Sequence, residues 1–517
     1  MDLLNRGPFR TLARLQTRRA LQLCTLAIAF VIVAHGLVGP QTAPRNLATV
    51  VTWVFYRGLL IVSLLAVGNL FCAVCPMMLV RDLARRVVPP THQWPRALRN
   101  KWPAATLLAA GLFAYEQFDL WSLPFVTAII IIGYFLAALT VDLAFKGASF
   151  CRYVCPIGQF NFVAATVAPF SLQVRSMDTC RSCRTVDCIK GRRDAGQPGD
   201  RRPEGLRLPV GAKAHEMSLH RIPSPGSRIP NPESPAIVAR GCELGLFLPL
   251  KVGNLDCTLC FDCVRACPHD NIGLTSRLPG EELALPERRS GIGRLASRPD
   301  LAALAVLFTF GGLLNAFAMS GTAAHLQHQA VAAGLPTEAT ALAALFVLTL
   351  VIAPLTMMGI ATVATRSTSV GPTTSALRAT AVKNGPALRV AARYAYALVP
   401  LGAGIWLAHY GFHLLAGVLT IVPVTQSAVI DFFGRPLAGE PLWQLTGVRS
   451  GLLFPFQVGC VLLGMLGSFG VATLSTTRHG QNVAFALPWN LLIAALAIVA
   501  VWALAQPMDM RGMVMPG

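Results

Sequence analysis

The sequence predicts an all-α polytopic membrane protein: about nine transmembrane helices, interrupted by one polar, cysteine-rich cytoplasmic segment. Composition is the first observation behind this. Of 517 residues, 54% are hydrophobic and only 13% charged, against about 45–50% and about 25% in an ordinary soluble domain. Halving the charge leaves too little polar surface to solvate a chain this size, which excludes a soluble globular enzyme. Hydrophobic patterning is the second, with nine separate apolar stretches of the length a bilayer requires. Cysteine placement is the third. Eight of the 14 cysteines fall between Cys180 and Cys267. Fourteen in a chain this long are too dilute for a secreted disulfide scaffold.

A spanning helix needs about 20 mostly apolar residues. The expected spans are roughly 20–39, 48–71, 102–120 and 124–146, then 299–319, 338–362, 394–421, 451–474 and 484–506. The first follows Arg6, Arg10, Arg14, Arg18 and Arg19. It resembles a signal sequence but is long for one, and is expected to be an uncleaved anchor. Loop charge sets the orientation. The 77–101 loop carries Arg81, Arg85, Arg86, Arg96, Arg99 and Lys101, and the 363–393 loop carries Arg366, Arg378, Lys383, Arg389 and Arg393. The alternate loops are neutral or mixed. The positive-inside rule then predicts a cytoplasmic N-terminus and an outer C-terminus, as an odd number of spans requires, and the expected location is a bacterial inner membrane. Part of the net charge of +20 is therefore orientation. No nucleic-acid motif accompanies it, so a nucleic-acid partner is dropped.

The chain divides into a four-helix region (1–170), a polar segment (171–298) and a five-helix region (299–517). The polar segment has 20 Lys and Arg against 14 Asp and Glu, a net +6. It is rich in Pro, Gly and Arg from Gly191 to Arg240, which reads as an irregular insertion. No helical or strand periodicity stands out in it. Cytoplasmic thiols are kept reduced, so clustered cysteines here are metal ligands or catalytic groups rather than disulfides.

The run Cys257-Thr-Leu-Cys260-Phe-Asp-Cys263-Val-Arg-Ala-Cys267-Pro268 has the spacing of bacterial ferredoxins, in which the fourth cysteine ligates the other cluster of a pair. Four cysteines in one tight run before a proline is not a zinc spacing. A second cluster needs four more thiolates, and Cys180, Cys183, Cys188 and Cys242 supply them. The segment is thus expected to be ferredoxin-like with two [4Fe–4S] clusters. One takes Cys257, Cys260, Cys263 and Cys242, and the other Cys180, Cys183, Cys188 and Cys267. A swap of Cys188 with Cys242 remains open, as does Cys242 as a buried free thiol beside a three-cysteine cluster.

Two further cysteine pairs end spans two and four: Cys72-Ala-Val-Cys75-Pro76 and Cys151-Arg-Tyr-Val-Cys155-Pro156. Each follows a phenylalanine and each precedes an amphipathic stretch, so the pattern is an internal repeat of helix hairpin plus cysteine loop. The four thiols are candidates for a third metal centre. The alternatives are redox-active or structural pairs at Pro-terminated helix ends. Cys24 and Cys460 read as ordinary thiols in spans.

Ionisable residues inside spans default to functional hypotheses. His409 and His413 stand at i and i+4 on one helix face, His35 near the outer end of span one, and His325 and His328 in an outer loop. With Met508, Met510, Met513 and Met515 of the tail, they suggest a haem or copper site, a quinone pocket, or interfacial histidines with a Met-rich tail packed on a partner. Arg57 and Asp142 are placed to assist a quinone or a proton path, to snorkel, or to pair with each other.

Together the two Cys-Pro loops and the ferredoxin run, over about residues 50–275, resemble the membrane-bound polyferredoxins with Cys-x3-Cys-Pro loops. That group includes the quinol-oxidising membrane subunit of periplasmic nitrate reductase and the membrane accessory protein of nitrous-oxide reductase. The first loop here departs from it with x2 spacing, and the spans from 299 to 506 lie outside it. The resemblance implies electron transfer between the quinone pool or a cytoplasmic donor and a partner redox protein such as a ferredoxin, a cytochrome or a reductase subunit. The basic polar segment would steer an acidic donor to its clusters. The second expectation is an assembly or regulatory redox factor for a metal-containing oxidase or reductase. No flavin or nicotinamide fingerprint is present.

Overall fold

The computed structural model describes residues 2–193, 237–367 and 387–507. Among them eight helices are long and apolar enough to cross a membrane: Leu15–Val38, Leu47–Val67, Pro124–Ala144, Pro299–Ala318, Glu338–Ser367, Ala387–Ala416, Gly451–Arg478 and Val483–Leu504. Lipid offers no partners for backbone N–H and C=O groups, so these apolar runs satisfy them internally as helix. The expected span 102–120 is a shorter element, the 16-residue helix Trp102–Gln117. At about 1.5 Å per residue it reaches about 24 Å, less than a hydrocarbon core of about 30 Å. Asp119, in left-handed backbone at φ 46°, turns the chain just beyond it.

Two helices form the centre of the bundle. Pro299–Ala318 and the 399–416 part of Ala387–Ala416 are mostly buried and pack on each other, while Leu15–Val38 and Glu338–Ser367 turn Leu23, Phe30, Leu355 and Ile360 outward. The central 399–416 stretch packs most extensively on Gly451–Arg478. That approach is close because of glycine: a Cβ on Gly464 would lie 2.7 Å from the Pro400 carbonyl. Small residues at a helix crossing are what membrane packing favours where lipid competes with any apolar side chain.

The polar segment is folded against one end of this bundle. Strand β1 (Phe170–Val174) pairs antiparallel with β4 (Ile272–Ser276), in register from Phe170 opposite Ser276 to Val174 opposite Ile272. Between them, β2 (Arg192–Arg193) pairs with β3 (Ile237–Ala239) and closes the base of the insertion, whose residues 194–236 lie outside the described part. No alternation marks these strands in the sequence because each is too short to show one. Asp2 pins the chain's start to this sheet, accepting from the Leu274 N–H at 3.1 Å and pairing with Arg175 at 2.7 Å. The segment shares one continuous apolar core with the spans: Leu255, Leu259 and Phe261 belong to the same cluster as Ile61, Leu64, Phe162 and Leu301.

Candidate metal centres

The cysteines of the ferredoxin run stand where the backbone turns sharply. Asp256, Leu259 and Phe261 take positive φ of 61°, 48° and 59°, so the chain wraps tightly around Cys257, Cys260 and Cys263. The other half is built alike. Val186 (φ 57°) opens the short helix Asp187–Lys190 as Phe261 opens Asp262–Ala266, and each helix begins Asp-Cys. Cys188 therefore corresponds to Cys263. Cys242 likewise corresponds to Cys267: each sulfur accepts the N–H four residues on, from Leu246 and from Asn271, both at 3.4 Å.

The eight thiols sort into two groups by electrostatic reach. Cys263 faces Cys242, Cys260 and Cys257, while Cys188 faces Cys180, Cys183 and Cys267, with Cys242 its most weakly felt neighbour. The groups adjoin through backbone, because Cys242 N–H donates to the Cys188 carbonyl at 2.8 Å. Gly241 makes that contact possible, since a Cβ there would collide with the Ile189 carbonyl. All 14 cysteines are free thiols. Burial pushes the Cys242 thiol up to about 11 and Cys188 up to about 12, and drives Cys260 and Cys263 well above the usual range. Bare, these groups are protonated at neutral pH, and metal binding must displace the protons.

Among the described residues, no three His, Cys, Asp or Glu side chains stand close enough to hold a single metal ion. Cys242, Cys257, Cys260 and Cys263, with Cys180, Cys183, Cys188 and Cys267, are the residues that would hold clusters of several irons, one thiolate to each iron. No protein-family model matches the chain, and neither does any curated protein or solved structure compared with it.

The four Cys-Pro loop thiols converge as a third group at the end of the bundle. Cys72 feels Cys75 and Cys155, and Cys151 feels Cys155 and Cys75. Cys75 and Cys155 cap the helices Pro76–Val87 and Pro156–Ala164, where Pro at the first position loses no hydrogen bond. Polar groups reach two of these sulfurs directly, while the Asp142 carboxylate stands near Cys151. Gly158 N–H points at the Cys155 sulfur at 3.0 Å, the Tyr134 hydroxyl lies 2.7 Å from it, and Asn161 Nδ2 lies 3.3 Å from the Cys72 sulfur. Burial raises all four thiols, Cys155 to about 12.

Several residues that the sequence presented only as orienting charges bind this end together. Arg18 donates to the Ala73 carbonyl at 3.2 Å and to the Asp262 carboxylate at 3.0 Å. Lys101 donates to the Arg152 carbonyl at 2.9 Å and to Asp256 at 2.7 Å. Each cation opens the helix that begins its own repeat. Each reaches the carbonyl just after the first cysteine of its loop, and each pairs with the aspartate just before a cysteine of the ferredoxin run. Arg81 completes the set, with Glu243 at 2.6 Å and Asp142 at 3.6 Å. Its guanidinium lies within reach of both Cys75 and Cys151. The signal available in sequence was positional: Arg18 and Lys101 occupy equivalent places ahead of the two cysteine loops.

The histidines separate. His413 and His409 share a buried helix face as expected, with ring centroids 5.0 Å apart. His35 uses both ring nitrogens, accepting from Leu47 N–H at 3.0 Å and facing Asp431 at 3.0 Å, which leaves none to ligate a metal. His325 pairs with Gln329 and His328 with Glu338 on an exposed helix. Arg57 and Asp142 do not pair with each other. Arg57 is caged by Trp53, Tyr115 and Tyr410, with ring centroids 4.4, 4.0 and 5.2 Å away. Asp142 instead serves Arg81 and Arg85. The methionines of the tail, 508–517, lie outside the described residues.

Proposed function

We propose that this chain is a membrane-integral iron–sulfur electron-transfer protein of the polyferredoxin kind. It relays electrons between a cytoplasmic ferredoxin-like donor and the quinone pool or an extracytoplasmic cytochrome partner. The observation that carries the reading is the crossing of the two halves: Asn271 reaches the sulfurs of both Cys180 and Cys267, at 3.3 and 3.4 Å, so the last cysteine of the ferredoxin run sits with the first half rather than its own. That crossed pattern is how paired cubanes are held in two-cluster ferredoxins. Bound cubanes would supply one-electron transfer. The chain's residues supply the thiolates, the N–H···S bonds that tune them, and an apolar shell from Leu246, Leu255, Leu259 and Phe261 that limits water.

The cysteine end is assigned to the cytoplasm of a bacterial inner membrane. Its helix Pro76–Val87 carries Arg81, Arg85 and Arg86, and the basic N-terminal stretch enters Leu15–Val38 at the same end. Exit towards a quinone is read in the buried polar residues deeper in the bundle. Arg57 and Tyr410 adjoin Glu116, which accepts from Asn315 at 3.3 Å, and His409 lies against Tyr410 with centroids 5.4 Å apart. Iron and acid-labile sulfide content, with EPR of the reduced, anaerobically purified protein, tests the reading. Fewer than about seven irons per chain with no cubane signal overturns it. Quinone reduction by the dithionite-reduced protein then separates a conduit from an assembly factor, which need not turn over quinone.

A further inference from the structure

We propose that Cys72, Cys75, Cys151 and Cys155 together hold a third iron–sulfur cluster at the membrane edge, locked beside the Cys242, Cys257, Cys260 and Cys263 group by Arg18 and Lys101. The proposal rests on the electron-transfer reading above and extends it inward.

Three features carry it. First, the four thiols come two from each repeat and meet at one end of the bundle: Asn161, on the helix that Cys155 caps in the second repeat, reaches the Cys72 sulfur of the first at 3.3 Å. A cubane takes one thiolate on each of four irons, so two cysteines from each loop match its ligand count.

Second, the unequal loop spacing is absorbed by the backbone. The x3 loop contains the π-helical turn Phe150–Val154, closed by Cys155 N–H on the Phe150 carbonyl at 2.8 Å. A π turn takes one residue more than an α turn, so Cys155 reaches the place that Cys75 reaches in the x2 loop. Both cap helices of the repeat, whose N-terminal N–H groups and dipole favour a thiolate sulfur. Arg81 stands within reach of Cys75 and Cys151 and balances the negative charge that a thiolate-bound cluster brings into a buried site.

Third, the group is mechanically part of the neighbouring one. Arg18 and Lys101 each grip a cysteine loop with one set of donors and an aspartate of the ferredoxin run with another. Asn69 Nδ2 adds a bond to the Cys257 carbonyl at 3.2 Å. Clusters held by the two groups would pass one electron at a time between them, with no covalent bond made or broken, and the reductant would be the cytoplasmic donor, or dithionite in the test.

Iron and sulfide are measured on the full chain purified anaerobically, beside the Cys72→Ser/Cys151→Ser double variant. The expected counts are about twelve irons in the wild type and about eight in the variant, with one of three signals lost on redox-titrated EPR. About eight irons in both overturns the proposal while leaving the two-cluster reading intact. No cluster iron in the wild type overturns both. Should the double variant not accumulate, the wild-type count still decides. Lys101→Met tests the positioning role. It is expected to retain its iron but lose the spin–spin broadening between neighbouring reduced clusters, and unchanged broadening refutes that role.

Discussion

Replacing Lys101 by Met removes one of the two bridges at the cysteine end. Its ammonium lies 2.7 Å from Asp256 Oδ1, and the two side chains are 3% and 5% exposed. At an effective dielectric of about 20, two unit charges at that separation attract by about 6 kcal/mol. Desolvation of both ions offsets part of this when the pair forms. When only the cation is removed, Asp256 stays buried without its hydrogen-bonded partner and with only the more distant Arg298 as counter-charge, and such losses run to about 3–5 kcal/mol. The cost should fall sharply in Lys101→Met/Asp256→Asn, because the carboxylate goes with its partner and asparagine tolerates the left-handed backbone at 256 (φ 61°). Equilibrium unfolding in detergent micelles, followed by tryptophan fluorescence across the double-mutant cycle, measures the coupling. It is expected at about 2–4 kcal/mol. A single-mutant cost below about 0.5 kcal/mol, or no recovery in the double variant, refutes the bridge as a structural element.

Three other outcomes follow from the geometry. Cys260→Ala should lose the iron of one cluster and keep the rest, read by iron content and EPR. Gly241→Ala should do nearly the same without touching a ligand, because its methyl group drives Cys242 from its seat beside Cys188. Unchanged iron would mean that the 241–242 turn is not needed to present the thiol. Burial alone would raise the Glu243 carboxyl, but Arg81 and Arg240 outweigh it and hold it at about 2, below its usual 4.5. A depressed carboxylate stabilises the fold above its unfolded value and loses that contribution as pH falls from 4.5 towards 2. The melting-temperature gap between wild type and Glu243→Gln should therefore be widest near neutral pH and shrink on acidification below about pH 4.

The spans were legible because hydrocarbon imposes one simple requirement over a long stretch, and within Leu15–Val38 residues 26–34 meet it without exception. The ferredoxin run was equally legible, since its ligands are local and their spacing carries the geometry. Residues acting at long range in the chain were not. Lys101 and Asp256 meet across 155 positions of chain, and a lone lysine before an apolar helix looks in sequence like an orienting charge. The expected span 102–120 overran the helix Trp102–Gln117 because apolar character continues past Phe118, while the turn at Asp119 is a backbone event that hydropathy does not register. His35 attracted attention as an ionisable group near a span end, and only its contacts with Leu47 and Asp431 reveal that it ties a loop to a helix.

The clasp formed by β2 and β3 has a practical use. The chain leaves it at Arg193 and returns at Ile237, so the two ends of the insertion are held together whatever lies between them. Loop-closure entropy grows only logarithmically, about 0.6 kcal/mol for each doubling of length. A fluorescent or affinity module spliced into 194–236 would thus burden the fold little and would sit a few residues from Cys188 and Cys242. The site offers a genetically encoded handle for immobilising the protein on an electrode or for reporting on its assembly in living cells.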